Sequence, residues 1–290
     1  MGGPCRFLLD HADEGHSLAA IAAAESEVRR LEQKYSRYLD DSITSQINRA
    51  AGTSDIVAID SETAGLLSYA DTLWQQSAGL FDLTAGVLRQ AWNFKSGKLP
   101  SQAQLDELLP LIAWEQVRWD RDSICLPVTG MEIDFGGCVK EYASDSAAAI
   151  LRSHAIEHGL VNLAGDIAVI GKQADGQAWQ ISIRHPRHDS HAIALVSLPA
   201  GGLASSGDYE RCIEIDGQRY SHILNPETGW PVDGLAAVSV IADQCLVAGS
   251  TATIGMLKPR DQALSWLEEL GLAWLAIDAD LQCHGTIKLH

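Results

Sequence analysis

Two stretches of the chain gather residues able to move protons and hold anions. Ser205-Ser206-Gly207-Asp208-Tyr209 and His222-Ile223-Leu224-Asn225-Pro226-Glu227-Thr228-Gly229 flank an Asp216-Gly217 turn. Folding that hairpin draws hydroxyls, a carboxylate and an imidazole near one another. His222, at a strand end before a Pro–Gly turn, reads equally as a positioned base or as a cap for the turn. Asp134-Phe135-Gly136-Gly137 stands between a strand and a helix. Glycines there let a ligand approach the backbone, and helix-start N–H groups attract anions, but tight turns also use Gly-Gly for their own sake. His154 and His158 share the i, i+4 spacing of paired metal ligands. With no third ligand nearby, a surface role outweighs a metal role. His185, His188 and His191, set among Arg184 and Arg187, read as a solvated turn on the same ligand-count argument.

Several familiar sites are absent from the sequence. There is no phosphate-binding Walker loop and no G-x-G-x-x-G opening a helix after a strand. Neither a G-x-S-x-G elbow nor an H-E-x-x-H pair occurs. Composition narrows the field further. The chain has 290 residues, 46% of them hydrophobic, which suffices for a sizeable core. Its formal net charge is −17, which repels phosphate backbones and anionic membranes, and with no run of Lys and Arg this argues against a nucleic-acid binder. The longest apolar stretch, Gly234 to Leu257, is broken by Asp243, so no membrane span is expected. Six scattered cysteines, none in a C-x-x-C pair, favour free thiols over a disulfide framework. Met1-Gly2-Gly3-Pro4-Cys5 has neither a basic nor an apolar leader region. The chain as written is therefore expected in the cytoplasm, and in the periplasm if a leader was trimmed from it.

Periodicity supplies the elements that must position these residues. A helix is expected over 17–39, with Ile21, Val28, Leu31, Tyr35 and Leu39 on one face. A second is expected over 61–76, and a third opens at a Ser101-to-Gln104 capping box. Strands are expected at 117–119, 124–126 and 131–133, then a helix over 139–158 closed by Gly159. Strands follow at 161–170, 179–184 and 193–198, then the 212–215 and 218–224 hairpin with a type I′ turn, and a strand at 238–242. Helices at 246–257 and 262–270 precede a closing hairpin of 272–277 and 281–289. Helices interleave with antiparallel hairpins without a βαβ repeat, which predicts an α+β fold. No Pro/Gly/Ser linker divides 1–290, so one domain is expected.

Taken in order, these segments resemble the ApbE family of flavin transferases nearly end to end. The resemblance rests on Met1-Gly2, Tyr35-Ser36-Arg37-Tyr38 with Asp41-Ser42 and Ile47-Asn48, and Gly79-Leu80-Phe81-Asp82-Leu83-Thr84. It continues through Asp134 to Tyr142 with Asp145, Asn162-Leu163-Ala164-Gly165-Asp166, Ser206 to Tyr209 and His222 to Pro231. It implies an α+β fold related to the T-fold. It also implies an FAD:protein FMN transferase, which uses FAD and Mg²⁺, attaches FMN to a Ser or Thr of an acceptor protein and releases AMP. Carried over by position, Met1, Tyr38, Leu80, Phe81, Asp82, Asp134, Lys140 and Ile223 would line the FAD site. His222 would be the imidazole at the reacting phosphate, as base or positioner, and Asp208 a second polar contact.

The departures from the family pattern cluster at the metal. Where the resemblance leads one to expect an Asp and a Thr four residues later, this chain has Gly249 and Thr253. Thr253 and a Gly137 carbonyl remain as ligands, but Mg²⁺ usually has one or two carboxylates. Glu141 stands where a Gly is expected, one residue past Lys140. It is read either as a solvent-exposed side chain, the commoner fate of Glu, or as the replacement carboxylate. Gly3 for Thr and Ala164 for Gly are the other departures. The rival reading from another class is a non-catalytic FAD-binding protein with a degraded metal site. A third, a metal hydrolase built on the 185–191 histidines, would require tight stoichiometric binding of a transition metal.

Overall fold

The computed structural model describes residues 3–53 and 55–289. In chain order its elements are β1 (Cys5–Leu9), α1 (Glu14–Tyr35), α2 (Ile43–Arg49), β2 (Val57–Ala58), α3 (Ser61–Gln76), α4 (Gln102–Leu108), β3 (Arg118–Trp119) and β4 (Ser123–Cys125). Next come α5 (Val139–Ser153), β5 (Gly159–Leu163), β6 (Asp166–Gly171), β7 (Trp179–His185), β8 (His188–Leu198) and β9 (Gly201–Gly207). The chain ends with β10 (Cys212–Ile215), β11 (Gln218–Ser221), β12 (Leu235–Ala242), α6 (Cys245–Leu257), α7 (Arg260–Glu269), β13 (Ala273–Asp278) and β14 (Cys283–Gly285). Helices alternate with antiparallel strands, the expected α+β class. Two units share the chain, which passes between them four times. One holds the residues up to Glu32, Gly137–Gly207 and the chain from Gly234 onward; the other holds Gln33–Gly136 and Asp208–Asp233.

The first unit is built on a seven-stranded sheet, ordered β1-β5-β6-β9-β12-β13-β14, with every neighbouring pair antiparallel. Helix α6 lies on β9 and β12, and α5 lies on β5 and β6 and against α6. The sequence of α6 has almost no polar face, and eleven of its residues are buried. Gly202 of β9 lets α6 start close to the sheet, because a Cβ there would sit 2.5 Å from the Cys245 amide nitrogen. Gln244 gives α6 no side-chain cap. Asp145 of α5 does so instead, accepting from the Cys245 and Leu246 N–H groups at 2.9 Å each.

The second unit holds α2, α3, α4 and the small β2-β4-β3 sheet. Helix α3 spans the expected residues, with Asp60 capping the Thr63 N–H and Leu66, Leu67, Ala70 and Leu73 buried. The Ser101–Gln104 capping box forms at α4. Strands β10 and β11 meet through Asp216 (φ 51°) and Gly217 (φ 79°). These are the left-handed pair that a type I′ turn requires. Trp92 anchors the segment beyond this hairpin. Its ring lies 5.5 Å from Trp230 and 5.4 Å from Phe94, and its indole N–H donates to the Gly229 carbonyl at 2.8 Å.

Several expectations are corrected. Helix α1 ends at Tyr35, and Leu39 is exposed; the buried stripe is Ala20, Ala24, Val28, Leu31 and Tyr35. Residues 131–133 form no strand, because the Asn48 side chain takes the place of a partner. It accepts from the Ile133 N–H at 2.8 Å and donates to the Ile133 carbonyl at 3.0 Å. Helix α5 stops at Ser153 with Ala155 in a left-handed turn, so His154 and His158 do not share a helix face. Each instead has its own main-chain link: the His154 carbonyl meets His16 Nε2, and His158 Nδ1 meets the Lys172 carbonyl. The 161–170 strand is two strands, β5 and β6, and the central strand β9 was not expected at all. All six cysteines stand as thiols. No described helix is long and apolar enough to cross a membrane.

Buried Asp278 ties three elements of the first unit. It accepts from Arg260 of α7 at 2.8 Å, from the Gln282 N–H at 2.9 Å and from His284 of β14 at 3.0 Å. Burial alone would raise its pKa, but the bonds from His284, Gln282 and Arg260 outweigh burial and hold it at about 2, below the ordinary 3.8. The stability this carboxylate contributes is therefore complete above the unfolded value and is lost as pH falls through the folded one. Urea midpoints measured from about pH 5 down to about pH 2 should fall less steeply in Asp278→Asn than in the wild type.

Candidate functional site

Helix α5 opens with Lys140 and Glu141, and β6 opens with Asp166. The two starts meet: Lys140 Nζ lies 2.5 Å from Asp166 Oδ2, and the Ser144 hydroxyl donates to the Asp166 carbonyl at 3.3 Å. Glu141 is only 7% exposed, so the solvent-exposed reading is overturned. Its Oε2 is buried without a hydrogen-bond partner. The space it occupies is bounded by Gly249 of α6, where an added Cβ would lie 2.9 Å from Glu141 Oε1. Thr253 follows Gly249 by one helical turn and shares its face.

The electrostatics of this pocket follow from burial. Two carboxyl groups face one ammonium. Burial pushes the Glu141 carboxyl well up, and neighbouring Asp166 adds to it. Asp166 also rises through burial, against the pull of Lys140. Burial disfavours the Lys140 ammonium, but Asp166 and Glu141 outweigh it and raise its pKa. The Cys245 thiol beside them rises well above its ordinary value, by burial first and then by Asp166. It stays a neutral thiol.

A second group gathers around Asp134. Arg37 donates to Asp134 Oδ2 at 2.5 Å and to the Tyr38 phenol at 3.1 Å. Asp134 Oδ1 accepts from the Gly136 N–H at 2.9 Å, and its own N–H donates to the Leu83 carbonyl at 3.0 Å. Tyr38 stands 72% exposed with the Arg37 guanidinium 5.1 Å from its ring. The hydrogen bond from Arg37 lowers the phenol pKa. Leu80 is half-buried and Phe81 buried, with the Phe81 N–H donating to Ser77 Oγ at 2.8 Å. Asp82 caps the following turn, accepting from the Thr84 N–H at 2.7 Å, and burial raises its pKa against that bond.

The hairpin positions the remaining candidates. Asp208, just past β9, lies 3.7 Å from Arg219 of β11. His222 follows β11, and its N–H donates to the Arg211 carbonyl at 2.9 Å. Ile223 is buried, and its carbonyl accepts from the Val232 N–H at 3.0 Å. Asn225 Oδ1 accepts from the Glu227 and Thr228 N–H groups, closing the turn beyond His222. The histidines at 185, 188 and 191 cluster on the β7–β8 hairpin, with ring centroids 4.7 and 5.8 Å apart in sequence order. Among the described residues, no group of three or more His, Cys, Asp or Glu side chains could hold a metal ion. Met1 lies outside the described residues.

Residues 1–276 match the ApbE family. The chain belongs to that family. It is 30% identical over 274 residues to a protein from Treponema pallidum named FAD:protein FMN transferase, an alignment covering 87% of this chain and 75% of the relative. A protein of the same name from Vibrio cholerae is 27% identical over 261 residues, covering 87% and 78%. The crystal structure of an ApbE protein from Thermotoga maritima superposes with a TM-score of 0.87 at 28% identity, over 98% of this chain and 97% of that one. The flavin transferase ApbE from Vibrio cholerae gives 0.82 at 25% identity, over 96% and 89%.

Two polar groups of this ApbE chain are not legible in its motifs. Arg37 lies inside the Tyr35–Tyr38 segment, but nothing in the spacing ties it to Asp134. Asp166 lies in a strand motif, and its pairing with Lys140 depends on the β5–β6 turn, which periodicity does not show. Replacing Arg37 with Met removes the donor that lowers the Tyr38 phenol pKa. A UV-monitored titration, with Tyr38→Phe as the blank, should show that phenol titrating at higher pH in Arg37→Met than in the wild type.

Proposed function

We propose that this chain is an FAD:protein FMN transferase acting on FAD and on a Ser or Thr of an acceptor protein. The observation that carries the reading is its likeness, over most of its length, to proteins bearing that name. The acceptor hydroxyl oxygen attacks the phosphorus of the FMN half. The bond from that phosphorus to the bridging oxygen breaks, and AMP leaves with the electron pair. His222 takes the hydroxyl proton or orients the hydroxyl, at the end of a strand held by the Trp92-anchored segment. Asp208, paired with Arg219 of β11, is assigned as a second polar contact. Tyr38, Leu80, Phe81, Asp82, Asp134, Lys140 and Ile223 are assigned to FAD, with Met1 at the chain start. Phe81 and Ile223 act as buried supports, whereas Tyr38 offers an exposed ring for stacking.

A bound Mg²⁺ would neutralise the pyrophosphate charge that builds as the bond breaks. The donor set suits a hard cation, because Glu141 Oε2 is a buried carboxyl oxygen with no partner in the first unit's pocket. Thr253 and the Gly137 carbonyl are the further oxygens assigned to the ion. Lys140 is already paired with Asp166, so its charge is partly compensated before any anion arrives. The rival reading, FAD binding without transfer, drew on the lack of a carboxylate at Gly249. The burial of Glu141 against Gly249 removes most of that motive.

Incubation with FAD, Mg²⁺ and a flavin-acceptor domain should release AMP in step with fluorescent acceptor. His222→Ala should slow transfer by about 10²- to 10⁴-fold, the usual contribution of a positioned acid–base group. Tight FAD binding with neither AMP nor labelled acceptor would favour the non-catalytic reading.

A further inference from the structure

We propose that Glu141 is the carboxylate ligand of a divalent-cation site between α5 and α6, seated where a side chain at position 249 would otherwise stand. The inference deepens the transferase reading by naming a ligand of this chain's own. Four observations carry it. First, positions 141 and 249 compete for one space: a Cβ on Gly249 would lie 2.9 Å from Glu141 Oε1 and 3.0 Å from its Cδ, so one side chain would have to shift. The carboxylate can enter from α5 only because α6 has no side chain there. Second, Glu141 is 93% buried, the complement of its 7% exposure, and its Oε2 has no hydrogen-bond partner. An orphaned buried carboxyl oxygen is costly unless something positive meets it.

Third, the neighbouring charges leave the role open for a cation. The ammonium of Lys140 lies on Asp166, 2.5 Å away, and Asp166 adds a second buried carboxyl group. The one ammonium is thereby taken up by Asp166 rather than by Glu141. Fourth, the oxygens at hand are hard ones. Thr253 presents a hydroxyl one turn along the same face as Gly249, and Gly137 precedes α5 with a main-chain carbonyl. A carboxyl group, a hydroxyl and a carbonyl are ligands for an ion that keeps several waters, as Mg²⁺ or Mn²⁺ does, rather than for zinc or copper.

The geometry also reverses an intuitive repair. An Asp placed at 249 alone would not strengthen the site, because it would collide with Glu141. Only with a Gly at 141 does the space reopen.

Mn²⁺ binding to the purified chain, read from loss of the free-ion EPR signal, tests this, with thermal melts by circular dichroism as the folding control. Glu141→Gln keeps shape and loses charge. It should melt as a folded protein and bind Mn²⁺ at least about tenfold more weakly, since even outer-shell changes at metal sites typically cost 10–100-fold. Gly249→Asp should lower the melting temperature without gain in affinity. The double variant Glu141→Gly with Gly249→Asp should recover both. Wild-type affinity in folded Glu141→Gln, or no Mn²⁺ uptake by the wild type, would overturn the assignment. FMN transfer assayed on the same preparations separates the two readings. Transfer by the wild type together with unchanged Mn²⁺ affinity in Glu141→Gln sinks the ligand and keeps the enzyme. Weakened Mn²⁺ binding in Glu141→Gln, with no transfer by the wild type, does the reverse.

Discussion

The close approach of α5 to α6 at Gly249 is the constraint on which the first unit's chemistry depends. Glycine inside a helix costs about 1 kcal/mol relative to alanine, so α6 gives up some local stability at its centre. In return a buried space opens, and Glu141 reaches across from α5 to fill it. The rest of the pocket follows from that placement. Lys140, the residue before it, turns to Asp166 at the head of β6. Asp145, one turn further along α5, caps the start of α6. One turn of one helix thus holds the ammonium and the carboxyl group, and the next fixes the neighbouring helix, so the two helices cannot slide without breaking polar contacts inside an apolar layer.

The second unit rests on a comparable economy around Asp134. That carboxylate has Arg37 on one oxygen and the Gly136 N–H on the other, while its main chain holds the turn that begins at Asp82. Tyr38 is then fixed through Arg37 despite being exposed. An exposed aromatic ring with its phenol and its face both tied to one guanidinium loses little entropy when a flat ligand stacks on it. Asp82, by contrast, turns its Oδ1 to the Thr84 N–H and hydroxyl and so shapes the turn that follows it.

What the sequence made legible was local. The α3 boundaries, the Ser101 capping box and the Asp216-Gly217 turn are all decided by neighbours in the chain, and all three form as read. What it hid was decided by distant partners. Residues 131–133 have strand-forming side chains but pair with the Asn48 amide, so no ladder forms. Strand β9 is rich in Gly, Ala and Ser, a poor strand pattern, yet it lies at the centre of the sheet because small residues are what let α6 pack down on it. The motif order carried the family resemblance, but the Arg37–Asp134 and Lys140–Asp166 pairs needed the fold.

The same limit governs how the missing carboxylate should be weighed. Compared position by position, Gly249 is a lost ligand and Glu141 an unrelated change in another helix. In space the two positions share one volume: with no side chain at 249, the Glu141 side chain from α5 occupies it. A glutamate coming from α5 also carries its neighbour Lys140 with it, so cation and anion sites would be set by consecutive residues at one helix start. The non-catalytic reading treats the glycine as decay. Decay predicts an empty or water-filled gap, whereas the volume beside Gly249 is filled by the buried Glu141 side chain.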